Sequence, residues 1–116
     1  MTIDAGTNMV EPTLFLPELA GAVARQTRPR RARQALAIVQ RLARIRFAPL
    51  RPGLARRAAR LAADLRLAGG DAVYLAVAER VGFTLVSWDG QLKSRGSAVV
   101  AVQDPAELLR QMGELS

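Results

Sequence analysis

From Asp71 to Asp89 the chain reads as a helix followed directly by a buried strand, with an acid at each end. Ala72, Val73, Leu75, Ala76, Val77 and Ala78 make the helix apolar on nearly every side as far as Val81, so it has to be covered by other elements. Gly82 ends the helix, and Thr84 to Ser87 reads as a short buried strand. Helix and strand run antiparallel in such a unit. The helix N-terminus therefore lies beside the strand C-terminus, and Asp71 and Asp89 reach the same rim.

The rest of the chain extends this pattern. A helix is expected over Thr13 to Gln26, opened by Pro12, with Leu14, Phe15, Leu19, Ala22 and Val23 as its buried stripe. A second runs from Pro29 to about Arg44, burying Ala32, Ala35, Leu36, Val39 and Leu42. Ile45 to Pro49 is a short strand. A third helix runs from Pro52-Gly53 to Leu67, with Arg56, Arg57, Arg60 and Arg66 on a solvated face. Asp89-Gly90 reads as a turn, Ala98 to Val102 as a buried strand, and Asp104-Pro105-Ala106-Glu107 as a capping box opening a last helix to about Met112. Helices alternating with short, apolar strands predict an α/β fold of three layers, α/β/α, around a short parallel sheet. In such sheets sites form beyond the carboxyl ends of the strands.

Composition removes whole classes of chemistry. The chain has 116 residues, enough for one domain, and no cysteine or histidine. Disulfides, thiolate or imidazole metal sites and Ser-His-Asp triads are all excluded. Any metal must be a hard cation held by carboxylates, Mg²⁺ or Mn²⁺. One lysine, sixteen arginines and ten acids give a net charge of +7, which suits a polyanionic partner but also fits a genome rich in Arg and Ala codons. No apolar run approaches the ~20 residues of a membrane span, no leader is visible at Met1, and the cytoplasm is the expected location.

Three carboxylates stand out. Glu18 interrupts an apolar helix face formed by Leu14, Phe15 and Ala22, and so either meets a cation or lies at the margin of the stripe. Asp71 is either a helix N-cap, worth ~1 kcal/mol, or a metal ligand. Asp89 before Gly90 is either a turn residue or another ligand.

Asp71-Ala72, Gly82 and Ser87-Trp88-Asp89, with Pro17-Glu18-Leu19-Ala20 upstream, resemble the PIN domain family, the fold of bacterial VapC-type toxins and related metal-dependent ribonucleases. The likeness spans roughly Val10 to Leu109. It implies that Glu18, Asp71 and Asp89 hold one or two Mg²⁺ or Mn²⁺ ions for hydrolysis of RNA phosphodiester bonds. It also implies that Ser87 hydrogen-bonds a ligand carboxylate or the attacking water. A homodimer and a cognate antitoxin covering the cleft are the implied partners of such a toxin. Arg25, Arg28, Arg30 and Arg31 are candidate RNA phosphate contacts, or simply a solvated connector.

One departure from the family pattern is plain. Its first strand ends in a further Asp, some tens of residues before the helical Glu, whereas only thirteen residues separate Asp4 from Glu18 here. The reading is therefore an irregular segment over residues 1–9 followed by an incomplete PIN-like domain over residues 10–116, with the first strand missing or replaced. A start codon assigned too far downstream, a degenerate remnant, and Asp4 filling the vacancy by a shortened route all account for this. Two rival functions follow: a catalytically inactive remnant that binds RNA or an antitoxin, and a phosphoryl hydrolase on a similar sheet, for which no Asp-x-Asp motif is present.

Overall fold

The computed structural model describes residues 1–4 and 8–114. Five strands, β1 (Thr2–Ile3), β2 (Met9–Pro12), β3 (Ile45–Ala48), β4 (Thr84–Val86) and β5 (Val102–Gln103), form one sheet in the order β3-β2-β1-β4-β5. The helices are α1 (Phe15–Gln26), α2 (Pro29–Arg41), α3 (Pro52–Leu65), α4 (Gly69–Val81), α5 (Gly90–Gly96) and α6 (Pro105–Glu114). The predicted α/β class holds.

The all-round apolar helix is the centre of the molecule. Ala72, Val73, Leu75, Ala76, Val77 and Ala78 of α4 are all buried, because α3 packs along one side and the sheet lies against another. Leu54, Ala58 and Leu61 of α3, Leu85 of β4, Leu92 of α5 and Val102 complete that core. Arg57, expected on the solvated face of α3, instead grips Glu79 of α4 through two 2.7 Å bonds. This fork-to-fork pair fixes the two helices in register. Gly82 closes α4 in the left-handed region (φ 72°), as the sequence reading required.

The sheet departs from the all-parallel expectation at its middle. β2 runs parallel to β3 and β4 parallel to β5, but β1 is antiparallel to both its neighbours, pairing Ile3 with Met9 and with Thr84. Without a strand there, β2 and β4 would each bury a row of unpaired N–H and C=O groups. Two residues suffice to bridge the gap. Thr2 and Ile3 are buried, so the N-terminal segment expected to be irregular contributes the central strand.

Elsewhere the differences are local. The strand expected over Ala98 to Val102 shrinks to Val102–Gln103, because Val99 and Val100 bend back to donate to the Gly96 carbonyl at 2.9 and 3.2 Å. The expected Asp89-Gly90 turn is the start of α5. The predicted cap on the last helix is present, with the Glu107 N–H donating to Asp104 Oδ1 at 2.8 Å. α1 and α2 pack mainly on each other; α1 has no fully buried side chain and α2 only Ala32, while Ile38 and Leu42 stay exposed. The apolar stripes predicted for them are therefore only half used. This lightly packed pair fits a radius of gyration of 14.5 Å, above the about 13 Å of a compact domain this long. Among the described residues, no helix is long and apolar enough to cross a membrane.

Candidate metal centre

The first turn of α4 organises the rim. Its N-cap is Ala68, without a side-chain bond, and Asp71 is the third residue of the helix. Its carboxylate is thus not consumed in capping. Tyr74, one turn further on and on the same side, donates its hydroxyl to Glu18 Oε2 at 2.8 Å. Glu18 Oε1 stands 3.6 Å from where a Cβ on Gly70 would lie. The exposed Glu18 side chain is therefore fastened against the helix N-terminus, where the aligned peptide dipoles favour negative charge. Sequence reasoning missed Tyr74; its i+3 spacing from Asp71 was the available signal.

Glu18, Asp71, Tyr74 and Ser87 line a cavity of about 320 Å³, with Phe15 and Met1 on its apolar side. It opens past the carboxyl end of β4, as the topology predicts. Burial pushes the Asp71 carboxyl above its ordinary value, and the charges of Asp89 and Glu18 push it the same way. Burial, then the bond to Glu18, pushes the Tyr74 hydroxyl far above its ordinary value, so it remains a donor at neutral pH.

Asp89 stands at the margin. Its Oδ1 accepts from the Gln91 and Leu92 N–H groups at 2.8 and 3.3 Å, which makes it the N-cap of α5. Its own N–H donates to Ser87 Oγ at 3.0 Å, so Ser87 holds the Asp89 backbone. Asp89 is close enough for its charge to act on Asp71 but is not among the residues lining the cavity. Among the described residues, no three Asp, Glu, His or Cys side chains are gathered into a ready-made metal cage. Glu18 and Asp71 are nevertheless the hard oxygen donors that suit Mg²⁺, which keeps several waters and needs only one or two protein carboxylates. The residues present fit such an ion.

Asp4 lies elsewhere. Because β1 runs against its neighbours, Asp4 emerges at the opposite rim, beside Asn8, Arg44 and Phe83, where its carboxylate accepts from the Asn8 backbone and side chain at 2.8 and 3.1 Å. The shortened route to a fourth ligand is not taken. Arg25 is exposed and folds back along α1, its guanidinium 3.0 Å from the Cβ position of Gly21, one turn from Glu18. Arg28, Arg30 and Arg31 are exposed around the α1–α2 connection, farther from the cavity along the chain.

Glu11 was not singled out in the sequence, yet it is wholly buried in β2. Its Oε1 accepts the Thr2 N–H at 2.6 Å, while Oε2 and the neighbouring Thr2 Oγ1 have no partner among the described residues. Burial pushes its carboxyl upward, opposed by the Thr2 N–H and the Met1 ammonium. A raised carboxyl binds its proton more readily in the folded state, so holding it ionised costs stability above the ordinary value of 4.5 and nothing well below it. A Glu11→Gln variant is therefore expected to melt a few degrees above wild type at pH 7.5 and to lose that advantage as pH falls towards 4.5. Thermal melts across that range check this; equal melting temperatures at pH 7.5 would count against it.

Two comparisons agree with this architecture. The family model described as PIN domain matches residues 2–97. The chain belongs to the PIN domain family. Its fold is similar to a chain in the crystal structure of VapBC2 from Rickettsia felis bound to a DNA fragment from their promoter. The TM-score is 0.62 at 16% identity, covering 82% of this chain and 73% of that one. Comparison with curated proteins finds no significant match.

Proposed function

We propose that this protein is a metal-dependent endoribonuclease of the VapC type, the toxin of a toxin–antitoxin pair, acting in the cytoplasm. The observation that carries the reading is the pair of oxygen donors, Glu18 and Asp71, facing one cavity at the carboxyl rim of a PIN sheet, with Asp89 close enough for its charge to act on Asp71. Glu18 and Asp71 would hold a Mg²⁺ or Mn²⁺ ion, with Asp89 adding negative charge at the lip; the ion would supply Lewis acidity for hydrolysis of the phosphodiester. Tyr74 fixes the direction of the Glu18 carboxylate. Ser87 fixes the Asp89 main chain. Arg25, folded toward the Glu18 end of α1, contacts the substrate backbone; Arg28, Arg30 and Arg31 add a less specific attraction.

A homodimer and an antitoxin complete the proposal. The exposed Ile38 and Leu42 support it, since they stand one turn apart at the end of α2, which packs mainly on α1, and form an apolar spot that suits a protein partner. The test is cleavage of a single-stranded RNA by the purified chain. Activity is expected with Mg²⁺ or Mn²⁺, to vanish in EDTA and to return on adding excess Mn²⁺. Cleavage indifferent to EDTA would refute the mechanism.

One observation favours a second reading. Asp4 lies at the far rim and Asp89 caps α5, so the described acids do not form a cage. A chain that binds RNA or an antitoxin without cutting is consistent with that. Salt-sensitive RNA binding with no cleavage at any Mn²⁺ concentration would select it.

A further inference from the structure

Trp88 follows Ser87, which lines the cavity, and precedes Asp89, whose charge acts on Asp71. It is 76% exposed, and it is the chain's one tryptophan. An indole in water contributes little to the fold, since its stabilising value comes from burial. The backbone beneath it is nonetheless tightly held. The Ser87 N–H donates to the Gln103 carbonyl at 2.9 Å, the Asp89 N–H to Ser87 Oγ at 3.0 Å, and Asp89 is locked as the cap of α5. The ring is thus carried on a fixed mount, one peptide from a cavity-lining residue.

We propose that Trp88 is a stacking platform for an unpaired nucleobase next to the phosphate at the metal centre, so that the substrate is a single-stranded RNA segment. This rests on the ribonuclease reading above. Three features of the lip favour a nucleobase over a protein side chain. First, the other exposed large apolar residues, among them Ile38, Leu42, Leu50 and Leu109, are not aromatic, and apart from Met1 none lines the Glu18–Asp71 cavity. The single flat aromatic surface offered to solvent at high exposure is the one beside the candidate phosphate site. Second, the chain carries +7, which draws a polyanion to it, and the Arg25 guanidinium lies beside Gly21, one turn along α1 from Glu18. Third, stacking needs an unstacked base, which a duplex does not offer beside its backbone, whereas single strands are gripped by a basic surface together with aromatic faces. A mounted indole has only two side-chain torsions to order, so little entropy opposes the contact.

Because there is one tryptophan, its fluorescence reports on this position alone. The full chain in EDTA, where the proposed cleavage is off, is titrated with a single-stranded ten-nucleotide RNA. The same is done with an abasic ribose-phosphate strand of equal length and with an RNA duplex. Single-stranded RNA is expected to quench the emission strongly, and the abasic strand and duplex weakly. Trp88→Ala is expected to lose roughly tenfold in affinity for the single strand, and Trp88→Phe to keep most of it. Equal affinity of wild type and Trp88→Ala for single-stranded RNA would overturn the proposal. So would a blue shift that follows protein concentration without RNA, since that places the ring in a protein contact. The two readings fail separately. Metal-dependent cleavage with a KM untouched by Trp88→Ala sinks the platform and leaves the nuclease. Quenching by single strands without cleavage under Mn²⁺ sinks the nuclease and leaves the platform.

Discussion

An Asp71→Asn variant is expected to lose RNA cleavage by on the order of 10³-fold while folding normally. The magnitude follows from the several kcal/mol of charge stabilisation that a bound divalent cation supplies, at about 1.4 kcal/mol per tenfold in rate. Asn keeps the size of the side chain but removes the negative charge that holds the cation. No fold contact is lost, because Asp71 is not the α4 cap and makes no ion pair among the described residues. The change should even relieve the metal-free protein, whose Asp71 pays for burial and for the charges of Asp89 and Glu18. A second measurement makes the result specific to metal. Mn²⁺ at about 100 times its Kd should stabilise wild type by about 2.7 kcal/mol, seen as a rise in melting temperature, and leave Asp71→Asn nearly unmoved. Asp89→Asn makes a useful contrast, since Asn caps a helix as well as Asp does and α5 should stay intact. Full cleavage by Asp71→Asn would remove this residue from the mechanism.

Leu75→Ala is expected to cost about 3–4 kcal/mol of stability, a large share of the roughly 5–15 kcal/mol that holds a domain together. Leu75 is completely buried, at the meeting point of α4, α5 and the turn into β5. Its Cδ1 lies 3.2 Å from the position a Cβ on Gly96 would take, so the backbone of α5 already packs directly on it. Neighbours held that closely collapse poorly into a vacated space, and most of the cavity should persist. Differential scanning calorimetry should show a fall of more than about 10 °C. A shift below about 4 °C would mean that α5 is not seated on α4 as described.

Much of the architecture was legible because the relevant signals are local. A helix apolar on nearly all sides, Gly82 after it and a short apolar strand next define the α4–β4 unit with no reference to the rest of the chain. The same local logic brought Asp71 and Asp89 to one rim, the family resemblance added Glu18, and Glu18 and Asp71 do share a cavity. Where a residue had two local readings, the sequence could not choose between them. Asp71 proved not to be a cap, and Asp89 proved to be one, although each is a carboxylate beside glycine at an element boundary.

The elements that were misjudged depend on partners distant in sequence. Nothing local marks Glu11 as buried after the apolar pair Met9-Val10, yet β1 and β3 flank β2 and Glu11 is sealed in. The Thr2–Ile3 strand is too short to carry any periodicity, and it exists because β2 and β4 leave a gap that their own backbones cannot satisfy. Its reversed direction sends Asp4 to the wrong rim for a fourth ligand. By itself, then, the sequence determined the kinds of element, the apolar helix at the centre and the oxygen-only chemistry open to a chain without His or Cys, since these follow from side-chain type and spacing. Strand direction, the burial of Glu11, the Tyr74–Glu18 bond and the division of labour between Asp71 and Asp89 were decided only in the folded molecule. Each depends on which backbone or side-chain group arrives alongside, and that is a property of the packing.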